Sequence, residues 1–238
     1  MSGRPLKACP HKFAVLDLGL APYLPLQTLQ GRLRAAVAEG RLPGLLLLLE
    51  HEPVITLGSR AGQHDLRDRA TPVTGAIPVV SSERGGQATL HAPGQLISYP
   101  VVPIPGRDLG EYVRGLEEAI ILVLAGFGIQ GERRQGRPGV YAGGDKICSV
   151  GLRCQRWVSS HGTSLNVNID LSLFDSIVSC GEPQLRQTSI ERLACGPVIM
   201  AQVKEMYLRT VTQVFGWELL PVRCILFDQV EAELGLEA

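Results

Sequence analysis

The chain has 238 residues, 23 of them Lys or Arg and 23 Asp or Glu, so its formal charge is zero; 45% are hydrophobic and 19% charged. That balance excludes a disordered chain and argues against a nucleic-acid binder, which carries a basic excess. A chain of this length buries enough surface to fold without disulfides or a structural metal, and one domain over residues 1–238 is expected.

Residues 1–12 contain no apolar run of the signal-peptide kind, and the leucine run at 45–49 is far too short to span a bilayer. A cytoplasmic protein that stays off the membrane is expected. Its six cysteines, Cys9, Cys148, Cys154, Cys180, Cys195 and Cys224, are then read as reduced thiols.

Residues 13–18 open as a strand. Pro25 suits a helix start, and Leu26, Leu29, Leu33, Ala36 and Val37 recur at helical spacing up to Gly40. The leucines at 45–49 lie between Pro43-Gly44 and Pro53, which predicts a strand buried on both faces, with residues 54–57 continuing it to Gly58. Residues 59–76 predict a loop with one helical turn. Residues 77–80 predict a short edge strand because of Pro78, and residues 96–102 a further strand. Asp108 with Glu111 forms a capping-box pattern ahead of a helix whose apolar face runs from Leu109 to Leu124.

Val140 and Tyr141, then Gly143-Gly144-Asp145, then Ile147 and Val150 spell strand, tight turn, strand. Residues 163–170 alternate as a strand. Thr188 with Glu191 suggests a second cap, and Val203, Tyr207, Thr210, Val211 and Val214 mark a late helix ending at Gly216. Interspersed strands and helices point to an α/β (α+β) fold, a mixed sheet flanked by helices.

Several residues could carry chemistry. The hairpin holds Lys146 in a fixed direction just past its turn; the plain alternative is an ordinary turn-flanking lysine. Cys180, in Val178-Ser179-Cys180-Gly181, is either a buried inert thiol or a nucleophile. A free thiol titrates near ~8.5, so a nucleophile here needs a neighbouring cation or base, and Lys146, His161 and His91 are the candidates. His161 either orients a substrate or satisfies backbone groups at a turn. Arg84-Gly85-Gly86-Gln87 offers a backbone cradle, although it matches neither phosphate-binding glycine motif. Cys148, Cys154, His161 and Cys180 lack zinc-ligand spacing, and no G-x-S-x-G is present.

Four segments in order carry a resemblance. Residues 84–95 resemble R-G-G-Q-x-T-x-H-x-P-G-Q. Residues 138–152 resemble P-G-V-[WY]…K-I-[CA]-[SA]-[LIV]-G. His161-Gly162 with residues 165–168 resembles H-G-x-x-[LF]-N-V-N, and Cys180-Gly181 with Thr188-Ser189 resembles C-G…T-S. Together they resemble the octanoyltransferases of lipoate biosynthesis, also called the lipoate-protein ligase B family.

The resemblance implies the fold of biotin- and lipoate-protein ligases and an acyltransferase activity. An octanoyl group would pass from octanoyl-acyl carrier protein, whose phosphopantetheine holds it, to a lysine of lipoyl domains. Those domains belong to 2-oxoacid dehydrogenases and the glycine cleavage H protein. The resemblance further implies a thioester on Cys180, a paired base at Lys146, no ATP or metal, and a monomer. Substrate-binding positions map onto Arg84, Gly85, Gly86, Gln87, Ala88, Thr89, Leu90 and His91, onto Ser149, Val150 and Gly151, and onto Gly162, Thr163 and Ser164. Leu90, Val150 and Ile147 are expected as walls of the acyl slot. The chain departs from the family pattern at Leu90, Ala92 and Ser179. Arg133, Arg134, Arg137, Arg153 and Arg156 flank the hairpin and would either face acidic partners or sit solvated. Two alternatives are an ATP-dependent lipoate or biotin ligase of the same fold and a module that only binds lipoyl domains.

Overall fold

The computed structural model describes residues 12–67 and 77–236. The chain begins with strand β1 (Lys12–Ala21), helix α1 (Tyr23–Ala38) and strand β2 (Leu45–His51). Short strands β3 (Val54–Leu57), β4 (Val79–Ser81) and β5 (Ala88–His91) follow, then β6 (Gln95–Val101) and helix α2 (Leu109–Gly126). Next come β7 (Glu132–Arg134), β8 (Arg137–Ala142), β9 (Asp145–Gln155) and β10 (Val158–Asn166). Helices α3 (Ile190–Ala194) and α4 (Met200–Phe215), strand β11 (Glu218–Cys224) and helix α5 (Val230–Glu233) complete it. No helix among the described residues is long and apolar enough to cross a membrane.

Eight strands form one mixed sheet in the order β11-β1-β2-β6-β10-β9-β8-β7, and β4-β3-β5 form a smaller one. Strand β1 pairs in parallel with both β2 and β11; the other pairs of the large sheet are antiparallel. Alternation along β2 explains its unbroken leucines. Leu46 and Leu48 pack beneath α2 and α4, while Leu45, Leu47 and Leu49 pack beneath α1. All five are at most 1% exposed, and burial of each contributes about 1.5–3 kcal/mol. The start of α2 follows from its cap, since Asp108 Oδ1 accepts the Glu111 N–H at 2.8 Å. Helix α4 stops at Gly216 with φ 67°.

Three expectations need correction. Residues 54–57 do not continue β2. Pro53, just before β3, has no N–H for a ladder, and the chain crosses into the small sheet, where β3 pairs with β4 and β5. The strand expected over 163–170 begins at Val158 and ends at Asn166, fully buried throughout. The cap of α3 is Ser189, whose Oγ accepts from the Arg192 N–H at 3.2 Å, and not Thr188. Thr188 N–H is instead engaged by the Lys146 carbonyl. Strand β11 and helix α5 were not expected from the sequence. The loop expected over 59–76 shows a 3-10 turn at Gln63–Asp65, while residues 68–76 lie outside the described residues, as do residues 1–11 with Cys9.

Candidate active site

A cavity of about 360 Å³ opens between the small sheet, β8, β9 and β10. Three glycines around it permit close approaches, two to backbone and one to a side chain. A Cβ on Gly58 would lie 2.4 Å from the Gly86 carbonyl oxygen, and one on Gly162 would lie 2.1 Å from that of Ser98. A Cβ on Gly181, at φ +68°, would lie 2.2 Å from Gln87 Nε2. The first pins the loop at residues 84–87 to the end of β3, and the third docks the Cys180 turn against that same loop.

Arg84 is a structural anchor within this loop. It is 7% exposed, with Nε and Nη2 donating to Thr56 Oγ1 and Nη2 also donating to the Thr56 carbonyl at 2.7 Å. The loop is tied to β9 by Gly85 N–H donating to the Leu152 carbonyl at 2.8 Å.

Lys146 reaches the cavity because of a bulge. The β8–β9 register shifts by one between Val140 and Tyr141, so Val140 faces Cys148 while Tyr141 faces Lys146. A one-residue slip exchanges faces. Val140 and Cys148 enter the core under α2, whereas Tyr141 and Lys146 line the cavity. The turn itself is the expected one, with Gly143 at φ 58° and Gly144 at φ 89°. Lys146 is 2% exposed. Its Nζ donates to the Pro138 carbonyl at 3.2 Å and stands 5.7 Å from the centroid of the Tyr141 ring.

Cys180 occupies the 3-10 turn Ser179–Gly181, two residues before the cavity-lining Glu182. The turn is held by Val178 N–H on the Asp65 carbonyl at 2.7 Å and by a 2.8 Å ion pair between Glu182 and Arg137. Downstream the same segment pairs with the lysine strand. Lys146 N–H donates to the Arg186 carbonyl and Thr188 N–H donates to the Lys146 carbonyl, each at 2.9 Å.

The floor of the cavity is aromatic. His161 sits within β10 at φ +55°, a left-handed conformation rare for a non-glycine residue in a strand. Its N–H is taken by Gln30 Oε1 of α1 at 2.7 Å. Next to it, Gly162 abuts Ser98 and Pro100, and Pro100 has no N–H to offer the ladder. His161 is therefore a strand residue turned aside, not the turn residue the sequence suggested. Burial, with Arg84, Arg34 and Arg153 adding to it, pulls its imidazole down to about 3. Burial likewise pulls His51 down to about 4 and lowers His91 well below the ordinary histidine value. Tyr23 stacks on His91 and His161, and Tyr99 meets His161 edge-on. His51 Nδ1 must donate to the Ala21 carbonyl at 2.8 Å, which leaves Nε2 to accept from the Tyr99 hydroxyl at 3.0 Å.

Of the substrate-binding positions expected from sequence, Arg84, Gly85, Gly86, Gln87, Ala88, Thr89 and His91 line this cavity. So do Ser149, Val150, Gly151, Gly162, Thr163 and Ser164. Leu90 does not. It is fully buried against Ile55, Ile77 and Phe174 on the far face of β5, as strand alternation dictates. Ile147 is also no wall, because the bulge sends it into the core beneath α2. Among the described residues no three His, Cys, Asp or Glu side chains are grouped to hold a metal ion.

Residues 22–212 match the lipoyl protein ligase A/B catalytic domain. The octanoyltransferase of Syntrophotalea carbinolica is 44% identical over 192 residues, covering 80% of this chain and 88% of that protein. That of Chloroflexus aurantiacus is 43% identical over 208 residues, covering 84% and 93%. The chain belongs to the octanoyltransferase family. In fold it is similar to a crystal structure of lipoate-protein ligase A bound with ATP, with a TM-score of 0.73, 16% identity, and coverage of 94% of this chain and 93% of that one.

In this octanoyltransferase no sequence motif marks Tyr99 in the floor, Tyr23 and His51 packed behind it, or Glu117 behind the hairpin. The one available signal was polarity at helix and strand positions that the apolar period assigns to the interior. The five arginines flanking the hairpin are engaged within the chain. Arg133 pairs with Glu117 and Glu118, Arg137 with Glu182, Arg153 with Glu83 and Arg156 with Glu39. Arg134 lies 4.3 Å over the Tyr141 ring and donates to the Gly144 carbonyl.

Proposed function

We propose that this octanoyltransferase moves its acyl group through a thioester on Cys180, with Lys146 carrying the protons. The acyl donor is octanoyl-acyl carrier protein. The acceptor is a lysine of the lipoyl domains of 2-oxoacid dehydrogenases and the glycine cleavage H protein. One observation carries the reading. Lys146, nearly fully buried, faces the cavity, and its backbone is hydrogen-bonded on both sides to the continuation of the Cys180 segment.

In the first half-reaction the Cys180 thiol passes its proton to the Lys146 amine. The thiolate adds to the donor's thioester carbon, and the carrier thiolate leaves and takes that proton back. In the second, the neutral amine of the acceptor lysine adds to the enzyme thioester. Its surplus proton goes to Lys146, and the Cys180 thiolate departs, recovering a proton from the same ammonium. Exchange of one thioester for another is close to isoenergetic, and an amide is more stable than a thioester, so no ATP is consumed. Val150, Leu152, Tyr99 and Tyr141 give the acyl chain apolar contacts. The neutral histidines add a floor that holds no charge against it.

The test is intact-mass measurement after mixing the protein with octanoyl-acyl carrier protein in the absence of ATP. A single octanoyl adduct on the wild type, absent in Cys180→Ser, is expected. Transfer to a lipoyl domain with no adduct, or transfer only with ATP, would overturn the reading.

A further inference from the structure

The Pro138–Gly139 peptide links two buried groups. Its carbonyl accepts from Lys146 Nζ at 3.2 Å, and its N–H donates to Glu117 Oε1 at 2.9 Å. Glu117 comes from the interior face of α2 and is 5% exposed. Its second oxygen, Oε2, faces Arg133 Nε at 3.2 Å. The pairing of β7 with β8 is irregular here, shifting register between Glu132 and Arg134, and the carboxylate takes the N–H at this point. Gly139 itself, at φ +132°, leaves room for the lysine: a Cβ there would lie 2.7 Å from Lys146 Cε.

We infer that Glu117 is a positioning residue for Lys146, acting through the Pro138–Gly139 peptide. A carboxylate on the N–H of a peptide fixes the plane of that peptide and polarises its carbonyl toward the Lys146 Nζ it holds. The charge on Glu117 is answered by Arg133, so its contribution at the lysine is reach, not net charge. The other charged groups on this side of the cavity are Arg134 over Tyr141 and the Arg137–Glu182 pair, and the Cys148 thiol lies on the lysine's own strand. None of these touches the peptide's N–H. Because Arg133 also pairs with Glu118, a change at Glu117 does not strand that arginine.

The inference rests on the role proposed for Lys146, and three variants of Glu117 test it beside Lys146→Ala. Glu117→Gln keeps an oxygen at the distance of Gly139 N–H while losing the charge. Glu117→Asp keeps the charge but is one methylene shorter. Glu117→Leu removes both. Steady-state transfer from octanoyl-acyl carrier protein gives kcat and KM for each.

Glu117→Gln should stay within about threefold of wild type. Glu117→Asp and Glu117→Leu should lose about tenfold or more in kcat with KM for the donor unchanged, since a misplacement of about 1 Å costs that much or more. If the leucine variant fails to fold, the ranking of Gln over Asp decides alone. Equal rates for Gln and Asp, the reverse ranking, or a change confined to KM would overturn the inference. If Lys146→Ala stops transfer while all three Glu117 variants match wild type, only this inference falls. If Lys146→Ala transfers normally, the proposed role of the lysine falls and this inference falls with it.

Discussion

Two buried polar regions border one cavity and resolve their burial in opposite ways. At the floor and just behind it, burial acts on His51, His91 and His161, and Arg84 adds to it at His91 and His161. Burial holds all three imidazoles neutral, and the arginine charge reinforces it at His91 and His161. At the hairpin, Lys146 and Glu117 are as deeply buried, yet each has a partner of the right polarity: a peptide carbonyl, a peptide N–H and the Arg133 guanidinium. A buried ionisable group whose surroundings answer it can keep a proton-transfer role; one left unanswered becomes packing with a polar tip. Under the proposed mechanism the same cavity has an inert floor and a reactive edge.

The sharpest way to break this contrast is Lys146→Met, which leaves the side-chain volume nearly intact and removes the amine. Formation of the Cys180 adduct, followed by mass, should fall by about 10³-fold, within the range a positioned proton carrier supplies. Stability to urea should fall by no more than about 1–3 kcal/mol, the cost of leaving the Pro138 carbonyl without its donor. A collapse in stability with the adduct rate preserved would assign the lysine to the floor's category.

The floor responds to acid instead. An unfolded histidine takes up its proton near pH ~6.5, whereas folded His51 does so only at about 4 and His161 at about 3. Between those values the unfolded state binds more protons, so stability falls as pH drops through the window. At pH 5 the loss is about 2 kcal/mol for each of the two, at ~1.4 kcal/mol per pH unit. Urea unfolding at pH 7 and pH 5 measures it. Imidazole carbon shifts should stay unchanged over the same range; titration of His161 near pH 6 would end the reading of a neutral floor.

Gly139→Ala tests how closely the edge is fitted. The added methyl would meet Cys148 O at 2.6 Å and Lys146 Cε at 2.7 Å, at a φ of +132°. A destabilisation of about 1–3 kcal/mol from the backbone strain is expected, together with a loss of adduct rate. Gly143→Ala, at the tip of the same hairpin with open space around it, should lose stability through its φ of +58° but keep its rate.

How much of this was legible depended on the range of the forces involved. The hairpin turn, the Asp108 cap and the double-faced leucine strand are local effects of glycine, side-chain oxygen and period, and the sequence displays them. The four linked segments contain Lys146 and most of the cavity lining. The failures were matters of register. Leu90 and Ile147 sit one residue from cavity positions, and one residue in a strand means the opposite face. The bulge that turns Lys146 inward leaves no mark in composition. Neither does the αL backbone of His161, which depends on Gln30 and Pro100 from two other elements. Glu117 lies within the apolar face of α2, and only the irregular β7–β8 pairing gives its carboxylate an N–H to hold.

The smallest effect concerns the helix that supports the edge. Asp108→Ala removes the N-cap of α2 and should cost about 1 kcal/mol. Its first turn carries Leu109 and Val113 at the cavity mouth, whereas Glu117 lies two turns in, where the helix is packed against β8 and α4. Fraying of the first turn should therefore raise KM for the acyl donor modestly and leave kcat unchanged. A fall in kcat equal to the loss in kcat/KM would mean that the cap, and not the packed middle of α2, sets where Glu117 stands. The edge would then owe its precision to a surface hydrogen bond.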